Sequence, residues 1–224
     1  MDSEVGNVRK RLRTPRSAAI AGIVFSLLLM ASLILIRLSI PANSTEPGLW
    51  ISSPVLSNRV ILALNMVPFS GIAFLWFIGV IRDLIGEQED RFFATVFLGS
   101  GLLFVAMLFV SAAVAGGILA SFSAMSSEQA SVSPVVFSFG RAVTYFVLNV
   151  FAMKMAGVFI ISTCTMGLRT ETIPKWLIIL GYIFAAVLLL STIYIEILAL
   201  LFPLWILILS AQILIINYRP RTLS

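Results

Sequence analysis

Histidine is absent from the 224 residues of this chain, and cysteine occurs once, as Cys164. Without histidine the chain lacks the commonest general base, the imidazole ligands of zinc and the usual ligand of haem. A single cysteine excludes an intrachain disulfide and a cysteine cluster for a metal within one chain. We therefore expect no cofactor and no metal, and an enzyme is the less favoured class of protein.

Charged residues are also scarce, at 11% of the chain against 60% hydrophobic residues. A soluble domain has roughly 25% charged and 45–50% apolar residues. The main solvent of this chain is therefore expected to be a lipid bilayer. The net charge of +5 does not indicate nucleic acid, because five of the fifteen basic residues lie in the first sixteen positions, next to an apolar segment. Such a cluster is typical of a cytoplasmic flank and of contact with anionic lipid.

The sequence contains six apolar segments, each near the length of about 20 residues that a spanning helix needs. The sequence therefore predicts an all-α polytopic bundle of six transmembrane helices. No loop is evident from Trp176 to Asn217, and we place a tight turn around Tyr194 to Glu196 because it divides this run into two bilayer-length helices. The predicted spans are residues 18–38, 60–81, 92–120, 142–167, 176–195 and 198–217. The domains are then a basic cytoplasmic segment 1–17, a transmembrane domain 18–217 and a short basic cytoplasmic tail 218–224.

The orientation follows from the basic residues that flank the spans. With the N-terminus in the cytoplasm, eleven lysines and arginines flank the inner ends of the spans and three flank the outer ends, Arg37, Arg59 and Arg141. Basic residues collect on the cytoplasmic side of membrane proteins. Both termini are therefore predicted to lie inside.

A short internal repeat links the first two hairpins. Ser53, Pro54 and Val55 recur 80 residues later as Ser133-Pro134-Val135, and each copy is followed by an arginine and then by Leu-Asn. Both copies would enter the membrane from the same side, as in parallel-repeat transporters. The alternative is that these residues are merely common in outer loops and at helix starts.

Lys154 lies near the middle of the fourth predicted span, about 20 Å from Arg141 and about 22 Å from Arg169 along a helix. A charged lysine at this depth costs on the order of 2.5–3.5 kcal/mol, and its stem is too short to reach either surface. No Asp or Glu lies within any predicted span. We expect its amine to contact hydroxyls, amides or free carbonyls of other helices, either as a ligand or gating site or as a bond that holds helices together.

Three further polar residues of the fourth span, Arg141, Tyr145 and Asn149, follow each other at intervals of four. In an α-helix they share one face, and Lys154 is rotated from that face by about 140°. The stripe predicts either the lining of an outer vestibule or a hydrogen-bonded seam between helices. Asn65 is the counterpart of Asn149 in the repeat and carries the same two interpretations.

The stretch from Phe74 to Gly117, which begins FLWFIGVIRDLIGEQEDRFFATVF, resembles bacterial integral membrane proteins of similar length to which no activity is attached. It covers about a fifth of the chain. The resemblance implies a multi-pass protein of the bacterial cytoplasmic (inner) membrane.

Two functions remain open at this point. The first is transport or permeation of a small neutral or anionic solute, supported by the repeat and by Lys154. The second is a noncatalytic membrane module that binds lipid or a partner subunit, supported by the small size and the basic N-terminus. Beyond the lipid bilayer, the partners left open are a second copy of the chain and a partner membrane subunit. Nucleic acid is not expected.

Overall fold

The structure, a computed structural model, describes residues 2–39, 53–85, 91–123, 134–191 and 196–218, and every regular element within them is helical. The helices are α1 (Asp2–Ser39), α2 (Pro54–Ile85), α3 (Arg91–Ser123), α4 (Pro134–Tyr145), α5 (Met153–Arg169), α6 (Lys175–Leu190) and α7 (Leu201–Tyr218). A π-helical segment, Phe146–Ala152, joins α4 to α5, and a 3₁₀ segment, Glu196–Leu200, precedes α7.

Among the described residues, five helical segments are long and apolar enough to cross a membrane. Four are Ser17–Ser39, Pro54–Arg82, Phe92–Ser121 and Ile197–Ile216, and the fifth, Val135–Arg169, joins α4, the π segment and α5 into one span. The sequence predicts six transmembrane helices, and the described residues contain five full-length spans and one shorter apolar helix, α6. The composition and these five spans are those of a multi-pass membrane protein.

The helix α6 is shorter than predicted, because it ends at Leu190 rather than near residue 195. Its 16 residues extend for about 24 Å, less than the roughly 30 Å of a bilayer core. Ser191 has an extended backbone and donates its N–H to the carbonyl of Val187. Tyr194, at the predicted turn, lies outside the described residues.

Proline marks two of the helix starts. Pro54 and Pro134 are the first residues of α2 and α4, where a missing N–H leaves no hydrogen bond unmade and the fixed φ suits the helix. These prolines belong to the two copies of the proposed repeat. Ser133 lies outside the described residues, and the duplication stays a prediction, as does the topology.

The π segment changes the register of the fourth span. The N–H of Met153 bonds to the carbonyl of Leu148, five residues earlier. Such a turn carries more residues than an α-helical turn, so the offset of about 140° between Asn149 and Lys154, which assumed a continuous α-helix, was wrong.

The bundle packs α1 between α2 and α7, and packs α5 against α3 and α6. At its centre five phenylalanines, each fully buried, meet ring to ring: Phe25, Phe74, Phe104, Phe159 and Phe202. The rings of Phe25 and Phe74 are 4.5 Å apart, and those of Phe104 and Phe202 are 4.6 Å apart. We call these five residues the phenylalanine cluster. Their tilted and edge-on contacts are the favoured geometries of aromatic pairs.

Candidate functional site

A cavity of about 160 Å³ lies at one end of the bundle. Its walls come from the last turns of α1, the first turns of α2, the second half of α3, α4 with its π segment, and the 3₁₀ segment. Because α1 and α3 end there while α2 and α4 begin there, this is the end that the charge pattern predicts to be outer. We call it the outer end.

The walls of the cavity are mainly apolar, with polar groups on three of the helices. Among these groups are two arginines, Arg37 of α1 and Arg141 of α4. The guanidinium carbon of Arg141 lies 5.4 Å from the ring centre of Tyr145, so the cation lies against the aromatic ring one turn deeper in the same helix. Two cations therefore share one apolar cavity.

Hydroxyl groups in the walls bond to backbone carbonyls. Ser111 of α3 donates to the carbonyl of Thr144 at 3.0 Å, and Ser32 of α1 donates to the carbonyl of Ala63 at 2.9 Å. Both bonds cross between helices, so they fix the spacing of the walls. Interhelical bonds of this kind contribute about 0.6 kcal/mol on average in membrane proteins.

Asn149 lies in the π segment and forms the deep end of the polar stripe. Its side-chain N–H₂ donates to the carbonyl of Tyr145 at 3.2 Å. In a π turn a carbonyl pairs with the N–H five residues on, and the Asn149 amide adds a side-chain donor to the carbonyl at the start of this turn. The asparagine thereby helps to maintain the irregular turn at the cavity wall.

The size of the cavity limits what it can hold. A cavity of about 150 Å³ in another protein interior accommodates benzene, a ligand of six carbons. The volume of about 160 Å³ found here thus suits a ligand, or part of a ligand, of roughly six to eight heavy atoms.

The phenylalanine cluster closes the inner end of the cavity. Phe25 lies four residues from the wall residue Leu29, and Phe104 lies four residues from the wall residue Leu108. Phe202 follows the wall residue Leu200 by two positions. One helical turn beyond the cavity, the centre of the bundle is therefore filled with aromatic rings.

Lys154 is half-buried and faces α6 rather than the cavity. Its Nζ donates to the carbonyl oxygen of Leu189 at 2.8 Å. Leu189 is in the last turn of α6, where carbonyls lack an N–H partner within the helix and where the helix dipole is negative. The ammonium thus donates to a carbonyl at the negative end of the α6 dipole.

Gly157 allows α5 and α6 to approach closely enough for this bond. A Cβ at this position would lie 2.9 Å from Cγ of Leu189 and 3.3 Å from the carbonyl oxygen of Ala185. Nearer the other end of the same interface, the hydroxyls of Thr165 and Tyr182 are 3.0 Å apart. The interface between α5 and α6 therefore combines a close backbone approach with polar contacts.

The structure divides the predicted site residues into two groups. Arg141, Tyr145 and Asn149 line the cavity together, whereas Lys154 bonds to α6 and Asn65 is exposed on α2. Arg37 also lines the cavity, although the sequence indicated only that it flanks a span. It lies on α1, so no regular spacing in the sequence connects it to the polar stripe on α4.

The side chains that the structure describes include no group of three acidic or cysteine residues that could hold a metal ion. Within the described residues, Cys164 is buried and unpaired. The chain matches no protein-family model, no curated protein and no solved structure. The resemblance to bacterial membrane proteins consequently stays an expectation, and any argument about function depends on the cavity.

Proposed function

We propose that this protein is a noncatalytic membrane module that binds an anionic amphiphile in the cavity at its outer end. The observation that carries the proposal is that one apolar cavity contains both Arg37 and Arg141. An arginine guanidinium binds carboxylate and phosphate oxygens in pairs. A ligand that suits the cavity therefore has an anionic group beside the arginines and an apolar part against the aliphatic walls.

The position of Arg141 supports a partly desolvated interaction. The arginine is half-buried, and its charge lies against the face of Tyr145. A hydrogen bond that involves a charged group contributes about 1.5–3 kcal/mol, more than a bond between neutral groups. Binding at this site should therefore depend on the anionic group and not only on the apolar volume.

Transport of a small solute, the other function predicted from the sequence, has less support from the geometry. A continuous path would need polar groups deeper than Asn149, and the phenylalanine cluster fills the bundle centre one turn beyond the cavity wall. Lys154 is directed to the end of α6. Transport stays a prediction, and the cavity favours binding.

The experiment compares Arg141→Gln with Arg59→Gln. Arg59 is an exposed arginine at the start of α2 that does not line the cavity, so it controls for the loss of one positive charge at the same end of the bundle. The proteins are placed in nanodiscs of phosphatidylcholine with either phosphatidylglycerol or phosphatidic acid. Retained lipid is then measured by native mass spectrometry.

We expect Arg141→Gln to lower the retention of both anionic lipids by about tenfold or more, which corresponds to a loss of about 1.4 kcal/mol or more. The Arg59→Gln variant should retain them like the parent protein. Equal retention of phosphatidylcholine and the anionic lipids by the parent protein would rule out anion recognition.

A further inference from the structure

The wall of the cavity is exposed on one side only. Among the described wall residues, those from α2, α3 and α4 with its π segment are all buried or half-buried. The exposed ones are Ile34 and Arg37 on α1 and Ile197 on the 3₁₀ segment. The exposed part of the wall is therefore on α1 and the 3₁₀ segment, and we call this part the side opening.

The chemistry of the side opening matches a lipid leaflet from surface to interior. Arg37 lies two residues before the end of α1, at the level expected for headgroups. Ile34 lies about 4.5 Å deeper along the helix, at the level of acyl chains. Ile34 is 44% exposed and Ile197 is 60% exposed, so apolar side chains border the opening where hydrocarbon would pass.

The volume of the cavity adds a second constraint. About six to eight heavy atoms fit inside, far fewer than a phospholipid with two acyl chains contains. A phospholipid bound at the two arginines must therefore leave most of its length outside the cavity. The side opening is the place where that length can lie in the bilayer without crossing the packed helices.

From these observations we propose that the ligand is an anionic phospholipid of the surrounding leaflet, which enters through the side opening and keeps its acyl chains there while its headgroup contacts Arg37 and Arg141. This inference is based on the proposed function. It adds the source of the ligand, its route, and two residues, Ile34 and Ile197, that touch its chains.

The test uses two ligands with the same anionic group. Propyl phosphate, with eight heavy atoms, fits wholly within the cavity, whereas phosphatidic acid must pass through the side opening. The variant Ile34→Trp/Ile197→Trp narrows the opening with two bulky side chains. Ile179→Trp is the control, because Ile179 is also 60% exposed but lies on α6, away from the cavity. Each single tryptophan variant provides the same test if the double variant does not fold.

In the double variant we expect the affinity for phosphatidic acid to fall by about tenfold or more and the affinity for propyl phosphate to change by less than about twofold. The Ile179→Trp variant should bind both ligands like the parent. Unchanged binding of phosphatidic acid in the double variant would overturn the side opening as the route, and so would an equal loss for both ligands. If the parent protein binds neither ligand, the proposed function itself fails together with the inference.

Discussion

The two ends of the cavity belong to regions that are packed in opposite ways. Towards the outer end the wall residues range from buried to exposed, hydroxyls bond to carbonyls of neighbouring helices, and the helices enclose a cavity of about 160 Å³. One turn inwards, the five rings of the phenylalanine cluster fill the space between five helices, α1, α2, α3, α5 and α7. Helices in lipid gain little from hydrophobic burial and associate mainly through packing. The difference indicates that the inner region provides most of the cohesion of the bundle, and the outer region provides space for a ligand.

The largest effect should come from the packed region. We expect Phe74→Ala to destabilise the bundle by about 3–5 kcal/mol, because it removes the fully buried ring at the centre of the cluster and leaves a cavity in its place. The matched variant is Leu64→Ala, which truncates a half-buried wall residue of the existing cavity and should lower stability by clearly less. Reversible unfolding in mixed micelles measures both. Similar losses for the two variants would remove the distinction between the regions.

Lys154 lies near the boundary between the two regions. The effect of substituting it shows whether it belongs to the ligand site or to the packed helices. We expect Lys154→Met to destabilise the bundle by about 1–2 kcal/mol, because the carbonyl of Leu189 loses its donor. Binding of propyl phosphate in the cavity should be unchanged. The exposed Lys175 at the start of α6 provides the control substitution Lys175→Met, which should have little effect on stability.

The alternative outcome for Lys154 is equally clear. A Lys154→Met variant that keeps its melting temperature but loses ligand binding would make this lysine part of the ligand site, as the first interpretation of the sequence held. A thermal melt and a binding titration on the same sample distinguish the two roles.

The smallest expected effect on stability comes from comparing a glycine in a tight helix contact with a glycine in open space. We expect Gly157→Ala to lower stability by about 1 kcal/mol, because the new methyl group pushes Leu189 away from α5. At Gly79, also within a helix, an added Cβ meets no described atom within 4 Å, so Gly79→Ala should be neutral or slightly stabilising. Thermal melting of the two variants side by side tests this, and a more harmful substitution at Gly79 would contradict it.

The polar stripe shows how much of the candidate site could be predicted from the sequence. Arg141 and Tyr145 lie on α4, and Asn149 follows in the π segment, so a spacing of four residues was enough to place all three on one face. The interval from Asn149 to Lys154 was not enough, because it crosses the π segment. No residue in Phe146–Ala152 predicts backbone hydrogen bonds to the fifth residue rather than the fourth. That choice depends on the packing of the neighbouring helices.

The end of α6 was unpredictable for a different reason. Leu190 is followed by Ser191 and Thr192, but small hydroxyl residues also occur inside membrane helices, so they do not mark a helix end within this otherwise apolar run. The partner of Lys154 is a backbone carbonyl, which every residue possesses, so no side chain in the sequence identifies Leu189. The exposure of Ile34 and Ile197 could not be predicted either, because the side opening is formed by two segments about 160 residues apart.

The π segment also sets how the fourth span responds to a change in chain length. Loss of a single residue there, such as Val150, would restore four-residue pairing with little rotation of α4 relative to α5, because a π turn accommodates one residue more than an α-helical turn. Arg141 and Tyr145 would then keep their place on the cavity wall, and Gly157 would keep its contact with α6. The π segment therefore accommodates one additional residue without turning the ligand site relative to the packed helices below it.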